Sequence, residues 1–300
     1  MQFSFDWVDA FSDVPFGGNG CAVVHDGAGL PDDLCMAYVR ETSLVECTFT
    51  GPSEVADLRV RYFLASREIP FAGHPTIATV VALRARNIIG DGDLVLETLA
   101  GNIPVSVQGN RVKMTQNAPV FGQRLPEDLV AAVGGISPED IIAPPQIVST
   151  GLPFCITLLK DRAVLDSLEL DAAALRRFAD HLGQPGTDMM EPFWVTRHDT
   201  PEGSDTISRL LIAPPSPPED PFTGSATGAM AAFLWQGGHI SRPEFVAAQG
   251  DGMGRPGRAQ VRVLGARDAI SGVEVSGAGT VVMSGQVTFP PADQAAMRKC

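Results

Sequence analysis

The chain has 300 residues, 44% of them hydrophobic and 19% charged, with a formal net charge of −13. That length and composition predict a soluble globular protein of two ordinary domains or one large one. The acidic balance excludes a nucleic-acid binder, which needs excess Lys and Arg to replace phosphate counterions, but leaves an anionic small substrate open, because a small site is governed by its own lining.

In chain order, residues 3–8 alternate Phe and Trp against polar side chains and predict a strand. A Gly-rich loop, PFGGN, follows at 15–19, then a strand at 21–25 and a helix at 32–41. Strands are expected at 47–50 and 57–64, and a helix at 75–86. Three short strands follow at 94–98, 103–108 and 111–116, separated by Gly101-Asn102 and Gly109-Asn110 turns. The turn-rich stretch 118–125 is the expected domain boundary. It gives an N-terminal half of 1–118 plus 286–300 and a C-terminal half of 119–285. The second half predicts a helix at 127–133, a strand at 154–159, one or two helices between 165 and 182, and strands at 192–196 and 208–212. The Pro-rich run beginning at Ala213 cannot be regular, since Pro lacks the donor and fixes φ. A helix at 226–235 and short strands at 259–263, 272–276, 280–283 and 285–289 complete the chain. Short strands joined by tight turns, with helices interspersed, predict an α/β (α+β) protein with mixed or antiparallel sheets.

The first residues carry no basic group and no long apolar run, so no signal peptide is expected, and no stretch reaches bilayer-spanning length. The five cysteines, Cys21, Cys35, Cys47, Cys155 and Cys300, are scattered without CxxC spacing, and the five histidines form no HxxxH pair. Neither a disulfide framework nor a metal site is expected, and a reducing cytoplasm fits.

A duplication stands out. EIPFAGHPTIATVVAL, residues 68–83, and EDPFTGSATGAMAAFL, residues 219–234, agree at seven of sixteen positions, 151 residues apart. Thr76 to Leu83 and Ala226 to Leu234 carry no charged residue, so these helix segments must be buried all round, which implies a sheet curled around a central helix once per half. Each helix begins at Gly followed by His or Ser. Two buried helix starts brought together would hold a carboxylate or phosphate. The alternative is that both are simply capped, by Ser225 and by the loop before His74.

Glu46 lies in the apolar segment SLVECTF, where an acid is costly unless paired or functional. It reads either as a proton carrier with a raised pKa or as an exposed edge residue. His74 is a proton-positioning group or a structural histidine, Asp220 a catalytic acid or a solvated turn residue, and Ser225 a helix N-cap.

These motifs together resemble the phenazine-biosynthesis PhzF-like family. The match rests on VDAF (residues 8–11), GGN (17–19), LVECTF (44–49), RYF (61–63), PFAGHPT (70–76), STGLPF (149–154), EDPFTGSA (219–226), Gln249-Gly250 and GRPG (254–257), in family order. The resemblance implies a diaminopimelate epimerase-like fold of two pseudo-symmetric domains and a homodimer. It implies an isomerase without cofactor or metal, acting on a small carboxylate-bearing substrate. In the family's isomerase a Glu moves a proton between carbons of a dihydro-hydroxyanthranilate. That implies Glu46 as carrier, His74 and Asp220 as assisting groups, and Asn19, Gly73, Gly224 and Ser225 as substrate-binding positions. Related racemases use two thiols, whose positions here correspond to Ala72 and Thr223. Two departures from the family pattern, Gly20 for Pro and Cys47 for Thr, leave the substrate open. An amino-acid epimerase or racemase and a non-catalytic metabolite-binding relative remain the competing readings.

Overall fold

The structure is a computed structural model that describes residues 1–184, 190–214 and 216–291. The chain opens with strands β1 (Gln2–Ala10) and β2 (Asn19–Val24), helix α1 (Asp32–Thr42), and strands β3 (Cys47–Gly51), β4 (Leu58–Phe63) and β5 (Glu68–Ile69). Helix α2 (Gly73–Ala85) and strands β6 (Gly92–Thr98), β7 (Gly101–Gln108), β8 (Arg111–Gln116) and β9 (Val120–Arg124) follow. Next come α3 (Glu127–Gly134), β10 (Gln146–Ser149), β11 (Pro153–Leu158), α4 (Arg162–Asp166) and α5 (Ala172–His181). The remainder is β12 (Pro192–Thr196), β13 (Thr206–Leu211), β14 (Glu219–Asp220), α6 (Gly224–Gln236), β15 (Glu244–Gln249), β16 (Gly257–Ala266) and β17 (Ala269–Thr288). Two compact units result. One comprises Met1–Met114 with the segment from Ser276 onward, the other Thr115–Pro214 with Pro218–Val275.

In the first unit β1 pairs antiparallel with β2 and with the end of β17, while β2 pairs parallel with β3. β3 is antiparallel to β4, β4 is parallel to β6, and β6, β7 and β8 form an antiparallel meander. β8 pairs in turn with β17, so the eight strands close on themselves. Helix α2 packs on β1, β2 and β3, and every residue from Gly73 to Leu83 is buried. The absence of charge along those residues leaves no face suited to water. The wall is thinned to admit the helix. A Cβ at Gly277 would lie 2.4 Å from the Phe11 ring, and one at Gly279 would lie 2.8 Å from Val81. A second core lies under α1, where Tyr38, Phe49, Phe63 and Phe289 meet edge-on or tilted.

In the second unit β9, β10 and β11 are antiparallel neighbours, β11 runs parallel to β12, and β12 is antiparallel to β13. β13 pairs parallel with β15, and β15 antiparallel with β16. Helix α6 packs on β10, β11 and β16, with Ala226 to Leu234 buried. Helices α3 and α5 cover the core formed by Trp194, Phe178 and Leu175. The Asp171 carboxylate starts α5 by accepting the N–H groups of Ala173 and Ala174 at 2.7 and 2.9 Å.

One device recurs in each unit. Arg61 on β4 forks onto Glu68 at 2.9 and 2.7 Å and donates to the carbonyls of Ala28 and Leu30. Arg209 on β13 forks onto Glu219 at 2.9 and 2.8 Å and donates to the carbonyl of Leu165. Both clamps fasten the short strand that precedes the buried helix.

The sequence reading missed several strands. The stretch 118–125 contains β9, and β10 and β15 were not expected. β15, EFVAAQ, is Ala-rich and carries little β-propensity of its own; its place between β13 and β16 makes it a strand. The separate strands expected after 272 are one strand, β17, whose glycines are sites of close approach and not turns. Cys300 and residue 215 of the Pro-rich run lie outside the described residues.

Candidate active site

In the first unit β3 delivers Glu46 from the residue before its start, and α2 delivers Gly73 and His74 from its first turn. The Glu46 side chain is 15% exposed, and its Oε2 lies 3.6 Å from His74 Nδ1. Asn19, at the start of β2, places its Nδ2 3.1 Å from the same ring nitrogen. Glu46, His74 and Asn19 are therefore gathered at the start of α2. Burial pushes the His74 imidazole down to about 3, so it is neutral at ordinary pH. With Asn19 donating to Nδ1, the single ring proton resides on Nε2, which is buried and has no hydrogen-bond partner. Nδ1 is then an acceptor facing Glu46, suited to steady a proton held on that carboxyl.

The loop before Asn19 is strained and anchored. Phe16 has φ 69°, and its N–H donates to the buried Asp9 carboxylate at 2.6 Å. Ser12 caps its own turn through Val14 and accepts the Thr280 hydroxyl at its carbonyl. This places the GGN motif by local hydrogen bonds.

In the second unit Asp220 ends β14, is 4% exposed, and accepts the Thr223 hydroxyl on Oδ2 at 2.6 Å. Gly224 and Ser225 form the first turn of α6. The expectation that Ser225 is the N-cap is corrected: the N-cap position is Thr223, whose side chain is turned to Asp220, and Ser225 is inside the helix. Neither N-cap residue, Ala72 of α2 or Thr223 of α6, caps its helix through its own side chain. Gln116 steadies α6 from below, donating to the Gly224 carbonyl at 2.9 Å and accepting Thr150 at 2.6 Å. Gly228 makes room for it, since a Cβ there would fall 1.9 Å from Gln116 Oε1.

In sequence Gln249 and Thr223 are only motif members, Thr223 also standing at a position where related racemases are expected to carry a thiol, yet both are buried in contact with the Asp220 segment. An amide closing an apolar strand, followed by Gly250 at φ 85°, was the available signal. Ala72 and Thr223, which precede the two helices, carry no thiol. Cys47, next to Glu46, is fully buried, and burial pushes its thiol up to about 12, so it is no thiolate at neutral pH. Among the described residues no group of three or more His, Cys, Asp or Glu could hold a metal ion, and no helix is long and apolar enough to cross a membrane.

The family model for phenazine biosynthesis-like protein matches residues 8–285. A trans-2,3-dihydro-3-hydroxyanthranilate isomerase of Pseudomonas aeruginosa is 31% identical, over 93% of this chain and 97% of its own. An uncharacterized isomerase, YddE, of Salmonella typhimurium is 29% identical over 94% and 98%. Among solved structures, a phenazine biosynthesis protein of the PhzF family from Bacillus anthracis superposes with TM-score 0.85 at 25% identity, covering 96% of this chain and all of its own. A hydroxyproline epimerase from Agrobacterium vitis shares the fold alone, with TM-score 0.63 at 14% identity, over 98% of this chain and 94% of its own. With the motifs, the mixed α+β fold and these likenesses in agreement, the chain belongs to the phenazine biosynthesis-like (PhzF) family and is an isomerase.

Proposed function

We propose that this isomerase moves a proton on a small carboxylate-bearing substrate by acid–base chemistry at Glu46, without a cofactor. The Glu46 carboxylate takes a proton from one carbon. The electron pair shifts along the conjugated substrate, and the Glu46 carboxyl returns the proton to another carbon, so the product is an isomer. His74 steadies the carboxyl, Asp220 assists, and Asn19, Gly73, Gly224 and Ser225 bind substrate, its carboxylate taking helix-start N–H groups. The observation that carries this reading is Glu46 Oε2 at 3.6 Å from a neutral, buried His74 at the start of α2. The two units are then the pseudo-symmetric halves of a diaminopimelate epimerase-like fold, as the repeat and the recurring Arg–Glu clamps support. The homodimer is a further part of this proposal, checked by sedimentation.

The first substrate to try is trans-2,3-dihydro-3-hydroxyanthranilate, which the name of the 31% identical relative supplies. Glu46→Gln, which fills the same space but cannot carry a proton, should lower its turnover by on the order of 10² to 10⁴ with the fold intact. Near-normal turnover by that variant would contradict the assignment. An epimerase acting through Glu46 and Asp220 is the second reading, favoured by the burial of Asp220 beside the start of α6. It predicts inversion at one carbon in place of a proton moved to another.

A further inference from the structure

The duplicated sequence acts as an internal control, because it shows which features the buried turn and helix need for folding. The Arg–Glu clamp is present in both copies with the same geometry, so it belongs to the fold. At the positions of Asp220 and Thr223 the first copy has Ile69 and Ala72, buried at 4% and 2% exposure. Strand register confirms the correspondence: Tyr62, next to Arg61, pairs with Ile69, and Leu210, next to Arg209, pairs with Asp220. The same turn is thus built once from two apolar residues and once from a hydrogen-bonded acid and hydroxyl. Burying the polar pair is costly unless it is fully bonded, and the fold does not require it.

The bonding around this pair has a fixed direction. Gln249, fully buried, accepts the Thr223 N–H on Oε1 at 3.0 Å and donates from Nε2 to the Asp220 carbonyl at 2.8 Å. A backbone N–H can only donate and a carbonyl can only accept, so both contacts independently fix which end of the amide is oxygen. The Nε2 also reaches Thr223 Oγ1 at 3.2 Å, where the hydroxyl must accept. Its one proton is then committed to Asp220 Oδ2 at 2.6 Å, the length of a hydrogen bond to a carboxylate. Turned this way, the Thr223 side chain makes no capping bond to α6, although it occupies the N-cap position.

We infer that Thr223 and Gln249 are positioning residues for Asp220: they hold its carboxyl as a hydrogen-bond acceptor in one orientation, with the Thr223 side chain turned to Asp220 and not to the α6 start. This rests on Asp220 assisting the isomerisation. It extends the set of functional residues to two that act through Asp220.

Two measurements test it. With trans-2,3-dihydro-3-hydroxyanthranilate as probe, Thr223→Val should lower kcat by on the order of 10- to 100-fold with KM changed less than about threefold, and Thr223→Ser should restore most of the rate. Second, the double variant Asp220→Ile/Thr223→Ala, which copies the first repeat into the second, should melt within about 3 °C of the wild type or higher. Wild-type kcat in Thr223→Val, a Thr223→Ser as slow as the Val variant, or a double variant melting about 10 °C lower would each overturn the inference. If the wild type fails to convert the probe, the substrate reading falls alone, and the melting of the double variant still decides whether the pair is part of the fold.

Discussion

His74 is neutral in the folded chain down to about pH 3, because burial disfavours its charged form. An unfolded histidine takes its proton near 6.5, so acid between those values favours the unfolded chain. Stability present above pH 6.5 is therefore lost as pH falls toward 3, by up to about 1.4 kcal/mol per pH unit from this residue. His25 is lowered too, by burial first, and acts in the same direction. Asp6 is pushed up by burial, but its bonds to Arg86, Ser284 and His25 outweigh that and hold it below its ordinary value, adding a further loss at stronger acid. Urea titrations should show His74→Gln flattening the slope between pH 6 and 4; an unchanged slope would mean that the ring is charged in the native state. At Cys47 the raised thiol predicts that mild alkylation leaves the native enzyme active and that Cys47→Ser keeps most of its turnover. Rapid loss of activity on alkylation, with the fold intact, would revive the thiol chemistry of the racemases. Glu46, His74 and Asp220 stood out as candidates because an acid in an apolar run and a polar residue beside a Pro-Gly turn are anomalies in one dimension. Gln249 did not, because its bonds to Thr223 and Asp220 join residues 26 and 29 positions apart.

Strand and helix assignment from the sequence succeeded where the pattern was strong and local. Helices α1, α2, α3 and α6 lie within two residues of expectation at either end, and β8 and β12 coincide with it. β15 and β17 were misread because neighbours, not local propensity, decide them. The Arg–Glu clamps show the same limit. Glu68 and Glu219 were visible as a repeat identity, but their arginines lie earlier in the chain and at a different offset. Both glutamates are largely buried, at 14% and 12% exposure. Arg61→Ala and Arg209→Ala should therefore each destabilise the protein by about 3–5 kcal/mol, since removing one partner leaves an uncompensated charge. Chemical denaturation checks this, and a loss under about 1 kcal/mol would place these pairs with ordinary surface salt bridges.

At the scale of the whole chain, the duplication carried most of what could be read. Two charge-free segments, Thr76 to Leu83 and Ala226 to Leu234, predicted two buried helices, and α2 and α6 are buried along nearly their full length. Closure of eight strands in the first unit was not legible, since it depends on pairing of β1 and β8 with a strand more than 150 residues away. The central claim is that Glu46 itself carries the proton. It is tested most directly by mass spectrometry of trans-2,3-dihydro-3-hydroxyanthranilate turned over in heavy water by the wild type and by Glu46→Gln. A carboxyl that is 15% exposed exchanges incompletely with solvent while substrate covers it. The wild type should therefore place deuterium at the receiving carbon in only part of the product, and Glu46→Gln should abolish both turnover and labelling. Turnover and labelling that persist in Glu46→Gln would contradict the account.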